Sequence, residues 1–208
     1  MGELIDMESA RALVADQTLW PRVRNFLWDF APQVHPSWLD RQVGLSNPRV
    51  KAWVLKELGV EPCFHTFPKD DWSRLLLLDG ATLESIAKWL GALACADSLR
   101  RVTDGKVVRE LKAALPGVYP EVFGYTAYFK DMATQDAQDA ARVVAVGIAC
   151  LFDFLARLDV PLTQRFRLKF PKNLCDLCGK ENHETVKPVA MARLLKLKFP
   201  EAYSLCCS

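Results

Sequence analysis

The chain has 208 residues, 50% of them apolar and 25% charged, with a formal net charge of +2. So high an apolar fraction, with only 10 Gly and 12 Pro, excludes a disordered tail or low-complexity linker. Near-neutral charge argues against a dedicated nucleic-acid binder, which carries a basic excess. A chain this long buries roughly 70% of its unfolded surface, enough for a core without disulfide staples.

Residues 2–18 read as a short amphipathic helix, with Leu4, Ile5, Leu13 and Val14 weakly periodic. A second helix starts at Trp20-Pro21, where proline suits a first turn, and Pro32 and Pro36 end it. NPRVKAWVLKELG begins with an Asn cap and stops at Gly59. Residues 60–69 have two prolines and no helical period. From Thr82 to Arg101 the residues Leu83, Ile86, Ala87, Leu90, Leu93 and Ala94 form one apolar stripe. Asp104 can cap GKVVRELKAAL, which ends at Pro116-Gly117. An aromatic segment follows (Val122, Phe123, Tyr125, Tyr128, Phe129), and the longest helix is expected from Thr134 to about Leu158. Residues 162–172 alternate Phe166, Leu168 and Phe170 with Arg165, Arg167 and Lys169, the period of a strand or extended arm. A last helix is expected over roughly 186–203.

The fold class expected is therefore all-α or mostly α. It is a compact single domain over 1–208, with seven or eight helices around the 134–158 helix and a short extended segment near 165–170. Charge is uneven. Residues 1–159 hold 18 Lys+Arg and 21 Asp+Glu, whereas residues 160–208 hold 9 and 4. A distinct basic C-terminal lobe over 160–208 is the alternative organisation.

The cysteines are Cys63, Cys95, Cys150, Cys175, Cys178, Cys206 and Cys207. Their odd number, and a start (MGELIDMESARAL) without an apolar core of a signal sequence, point to a reducing cytosol. The longest uncharged helical run, Val143 to Phe152, is ten residues, about half of the ~20 that span a bilayer. No direct membrane insertion is expected.

Phosphate-binding glycine loops, a GxSxG elbow and HExxH are all missing. Three histidines occur: His35, His65 and His183. Cys63 with His65 is a minor thiol-enzyme reading, since a thiolate needs a neighbouring base. The sharpest constellation is Cys175-x2-Cys178-x4-His183, where two thiolates and an imidazole could face one Zn²⁺. A knuckle would need a fourth cysteine at position 188, which is Pro188. Ligand spacing thus fits zinc and ligand count does not, so no cofactor is expected and zinc is the one candidate. The basic residues of the C-terminal region have few aromatic partners, which favours a solvated helix face or a contact to an acidic protein partner over nucleic acid. All six tryptophans precede residue 90; one or two exposed would mark a protein interface.

Several segments together carry a resemblance. Phe30-Ala31-Pro32 is followed by His35, and a Leu-rich helix follows at Leu75 to Leu78. A helix with small residues ends in Arg100-Arg101. Arg165-Phe-Arg-Leu-Lys-Phe-Pro171 precedes a basic helix ending in Phe199-Pro200 and Leu205-Cys206. The layout resembles the SctK (YscK/PscK) family of type III secretion sorting-platform proteins. It departs from that family at Ala31, where cysteine is familiar, and in having the Cys175/Cys178/His183 cluster. The resemblance implies a helical, non-enzymatic cytoplasmic adaptor, peripheral at the cytoplasmic face of the inner membrane. Its implied partners are an SctQ-like pod protein and the SctD-like cytoplasmic domain of the inner-membrane ring, with the export ATPase complex reached indirectly. The alternative is a helical zinc-binding regulatory or nucleic-acid-binding module.

Overall fold

The computed structural model describes residues 19–39, 47–60, 67–68, 70–132, 134–178 and 186–207. The expected helix at 2–18 lies outside them. Ten α-helices occur among the described residues, and no strand. They are α1 (Leu19–Trp28), α2 (Pro48–Glu57), α3 (Gly80–Ala94), α4 (Ala96–Arg100), α5 (Gly105–Ala114), α6 (Ala140–Phe154), α7 (Val160–Leu168), α8 (Lys172–Leu177), α9 (Pro188–Lys198) and α10 (Pro200–Cys206). The helical fold class is as expected.

Local chemistry sets several boundaries. Asn47 Oδ1 accepts from Arg49 N–H at the start of α2. At its end Gly59 takes φ +64, so that Gly59 N–H reaches Lys56 O and Val60 N–H reaches Leu55 O, a Schellman ending. Asp79, Asp104 and Asp139 cap α3, α5 and α6 through their carboxylates, which satisfies N–H groups that have no partner inside a helix.

The centre is the packing of α3 on α6, the most extensive helix pair. Both helices are apolar nearly all round, with Ile86, Ala87, Leu90 and Gly91 meeting Val143, Val144, Gly147 and Ile148 in one buried core. Two glycines allow the approach. A Cβ on Gly91 would lie 1.9 Å from Val143 O, and one on Gly147 would lie 1.8 Å from Ala87 O.

The structure corrects the sequence reading in four places. The segment at 165–170 is not extended; most of it belongs to helix α7. The period-two reading treated every basic residue as solvent-facing. Instead Leu162, Arg165, Phe166 and Lys169 form an i, i+3, i+4, i+7 stripe that is buried throughout, each of the two cations only 2% exposed. The long central helix starts at Ala140 rather than Thr134, because Gln135 N–H is held by Ala94 O and Ala137 N–H by the buried Ser98 hydroxyl. The expected 82–101 helix breaks at Cys95 into α3 and α4, and the 186–203 helix breaks at Phe199-Pro200 into α9 and α10. The Leu75–Leu78 stretch is the end of a 3-10 helix over Asp71–Leu77. More and shorter helices result than the seven or eight expected.

Two motifs far apart in sequence meet here. His35 N–H donates to Leu168 O at 2.8 Å, and Trp38 Nε1 donates to Phe170 O at 2.8 Å. Lys172 N–H donates to Ser37 Oγ, also at 2.8 Å. The cations of Arg167 and Lys172 lie 5.7 and 5.8 Å from the centre of the Trp38 ring.

Candidate partner-binding surfaces

The sites suggested by sequence divide by what the structure describes. Cys63, His65 and His183 lie outside the described residues. Cys175 is buried in α8, and the part-buried Cys178 caps its C-terminal end. The Cys175 thiol donates weakly to Arg167 O, and the Cys178 thiol lies 3.3 Å from both Ala145 O and Leu174 O. Burial is the main cause that pushes these thiols up, to about 12 and about 11. Cys95, Cys150 and Cys206 are raised to about 12, again chiefly by burial. All five are protonated at neutral pH, the inert state of a structural cysteine. Among the described residues no three His, Cys, Asp or Glu side chains gather as a metal site would require.

His35 has a local part to play. Its Nδ1 accepts from Ser37 N–H at 3.2 Å and lies 2.8 Å from Ser37 Oγ. It thereby orients the hydroxyl that receives Lys172 N–H. In the Cys-free Phe30-Ala31-Pro32 stretch beside it, Phe30 and Ala31 are buried and Pro32 is exposed.

Lys169, the most unusual cation, is enclosed. Its Nζ donates to Leu76 O at 2.6 Å and Leu78 O at 2.7 Å, and lies 5.1 Å from the Phe26 ring centre. Burial lowers its pKa to about 7, with Asp79 pulling partly the other way. These two bonds join the end of α7 to the last turn of the 3-10 helix and the residue that follows it.

Exposed apolar side chains mark the surface that is left for partners. Trp28 on α1 is 61% exposed and Trp53 on α2 is 53% exposed. On α1, Leu19, Val23, Phe26 and Leu27 point inward, which turns Arg24, Asn25 and Trp28 outward. Trp20 braces Trp28 edge to face, with centroids 5.7 Å apart. Helix α1 has no acidic residue, and Asp29 just beyond it is held by Lys51 of α2 at 2.7 Å. An exposed Trp beside the exposed Arg24 is the composition of a protein-binding hot spot. The exposure of Trp28 was available to sequence reasoning. Placing Val23, Phe26 and Leu27 inward on a helical wheel leaves Trp28 200° from Phe26.

Among the described residues no helix is long and apolar enough to cross a membrane. No curated protein and no solved structure matches the chain. Residues 22–118, from α1 to the turn after α5, match the model of the family described as YOP proteins translocation protein K (YscK), which supports the family assignment over that stretch and leaves residues 119–208 outside it.

Proposed function

We propose that this protein is a non-enzymatic cytoplasmic adaptor of the type III secretion sorting platform. In this reading it bridges the cytoplasmic domain of the inner-membrane ring, SctD-like, to the SctQ-like pod protein, and so stands at the cytoplasmic face of the inner membrane. The observation that carries the reading is the YscK family match over residues 22–118. The exposed Trp28 face of α1 supports it, because it lies within the matched stretch and offers a protein contact. The raised thiols support it too, since none of those five is poised as a nucleophile. The same reading takes residues 1–208 as one helical domain. The bonds from His35 and Trp38 to Leu168 and Phe170 favour it over a separate basic lobe.

Pairwise co-expression with the pod protein and with the ring's cytoplasmic domain tests the proposal. Each pair is expected to co-purify. Trp28→Ala should weaken one of the two complexes at least tenfold, as expected of a hot-spot Trp worth about 2 kcal/mol, with the melting temperature unchanged. Failure of both pairs to form a complex would sink the proposal.

A further inference from the structure

The C-terminal basic excess looks, by count, like one diffuse patch. The structure divides it. Arg165 and Lys169 are buried. Arg167 faces Asp176 at 3.6 Å, and Lys172 lies over Trp38. Lys198 reaches Glu121 at 3.3 Å and is held between the rings of Trp89 and Tyr125, 4.2 and 4.1 Å from their centres. Among the described residues of this region, Lys187, Arg193 and Lys196 have no carboxylate partner. All three lie on α9 or at its N-cap.

Helix α9 also leaves apolar side chains in water. Its inward face is Met191, Leu194 and Leu195, all buried. Val189 is 69% exposed and Leu197 is 49% exposed. At 100° per residue, Val189, Arg193, Lys196 and Leu197 fall within about a 100° arc, and the two apolar residues are about 12 Å apart along the axis. The helix has no acidic residue. Arg193 Nη1 donates to the backbone carbonyl of Tyr128, a residue whose own side chain is 57% exposed. Tyr and Arg are the residues by which interfaces hold their partners.

We propose that the outward stripe of α9 is a docking surface for an acidic amphipathic helix of another protein. Such a helix would set apolar side chains against Val189 and Leu197, and carboxylates against Arg193 and Lys196. Charge complementarity fixes the partner's sign, because no acid on α9 neutralises the stripe. Its narrowness fixes the shape. A helix that lies on a lipid surface needs a broad apolar face, whereas the broad apolar face of α9 is already buried in the protein core. The surface lies beyond residues 22–118, so it stands apart from the family match and from the adaptor reading.

The test places a photo-crosslinking residue at Val189 or Leu197 of the full chain in the cells that produce it, and identifies the crosslinked peptide by mass spectrometry. The expected result is one partner protein, joined through a segment that is net acidic and has apolar residues at helical spacing. Arg193→Glu with Lys196→Glu should reduce that crosslink at least tenfold at unchanged melting temperature. Exchanging the partner segment's acids for lysines should restore it. A crosslink to a second copy of this chain, to a basic or uncharged segment, or to no protein overturns the proposal. So does binding of the purified protein to phosphatidylserine-containing vesicles that Arg193→Glu/Lys196→Glu abolishes. Loss of the type III assignment would leave these outcomes unchanged.

Discussion

Gly91→Ala is the sharpest perturbation of the core. The added methyl would sit 1.9 Å from Val143 O and 2.9 Å from Val143 C, with Gly147 N at 3.0 Å. These are backbone atoms, so no side chain can rotate out of the way. Restoring an ordinary carbon–oxygen contact of about 3.2 Å means moving α3 and α6 apart by more than 1 Å, and a gap of about 0.5–1 Å already forfeits a quarter to a half of each dispersion contact it opens. Ile86, Leu90, Val143 and Ile148 would all be loosened at once. Overpacking typically costs about 1–3 kcal/mol; a clash between two backbones at the centre of the core belongs at the upper end, about 3 kcal/mol. At roughly 2–4 °C per kcal/mol for a chain of this size, the melting temperature should fall by about 6–12 °C in scanning calorimetry. Gly147→Ala, with Ala87 O at 1.8 Å from its Cβ, should cost a similar amount. Both clashes arise at the same crossing, so the double variant should lose clearly less than the sum. Gly124→Ala, where a Cβ meets nothing within 4 Å, should stay within about 0.5 kcal/mol of the parent. A Gly91→Ala protein as stable as the parent, or strict additivity with Gly147→Ala, would refute the close crossing.

Other consequences follow from the buried titratable groups. Lys169 has its pKa lowered to about 7 against 10.5 when unfolded. Between those values the unfolded chain binds the extra proton, so stability rises with pH, by up to about 1.4 kcal/mol per unit. The thiols act in the opposite sense. Their folded values of about 11–12 exceed the ordinary thiol value of 9.0, so their stabilisation is lost as pH rises beyond 9. Urea denaturation should therefore show stability increasing from pH 7 to about 8 and falling above roughly 8.5, where five thiols ionising in the unfolded chain outweigh the one lysine. Lys169→Met should flatten the rising limb and lower stability by about 1–3 kcal/mol through the unpaired Leu76 and Leu78 carbonyls; an unchanged rise in that variant would remove Lys169 as its cause. For the metal question, Cys175 and Cys178 hold their protons against helix carbonyls. Protein purified without chelator should contain well under one zinc per chain by mass spectrometry, and one zinc per chain that disappears in Cys178→Ser would contradict this.

Much of the helical layout was readable in the sequence because it is written in local chemistry. Asn47-Pro48 with Gly59, and Asp104 before Gly105, are start and stop signals whose hydrogen bonds need no tertiary partner. The 82–94 stripe was equally clear. The misreadings occur where distant residues decide. Arg165 and Lys169 look solvent-facing in sequence, and only the carbonyls of Leu76 and Leu78, over ninety residues away, explain the burial of Lys169. Gln135 to Ala137 looks like a helix start until Ala94 O and the Ser98 hydroxyl claim its N–H groups. For the surfaces, six tryptophans gave no indication by count of which two face water. The basic excess at 160–208 likewise gave no hint that, among the described residues, the cations with neither a carboxylate nor a ring partner and not buried lie on α9 and its cap.

Bridging requires both partners at once, so the most direct measurement is sedimentation velocity on a mixture of this protein, the pod protein and the ring's cytoplasmic domain. The adaptor reading expects one species that contains all three, absent when this chain is omitted. Two partners that displace each other, or a mixture that sediments as three separate proteins, would contradict it.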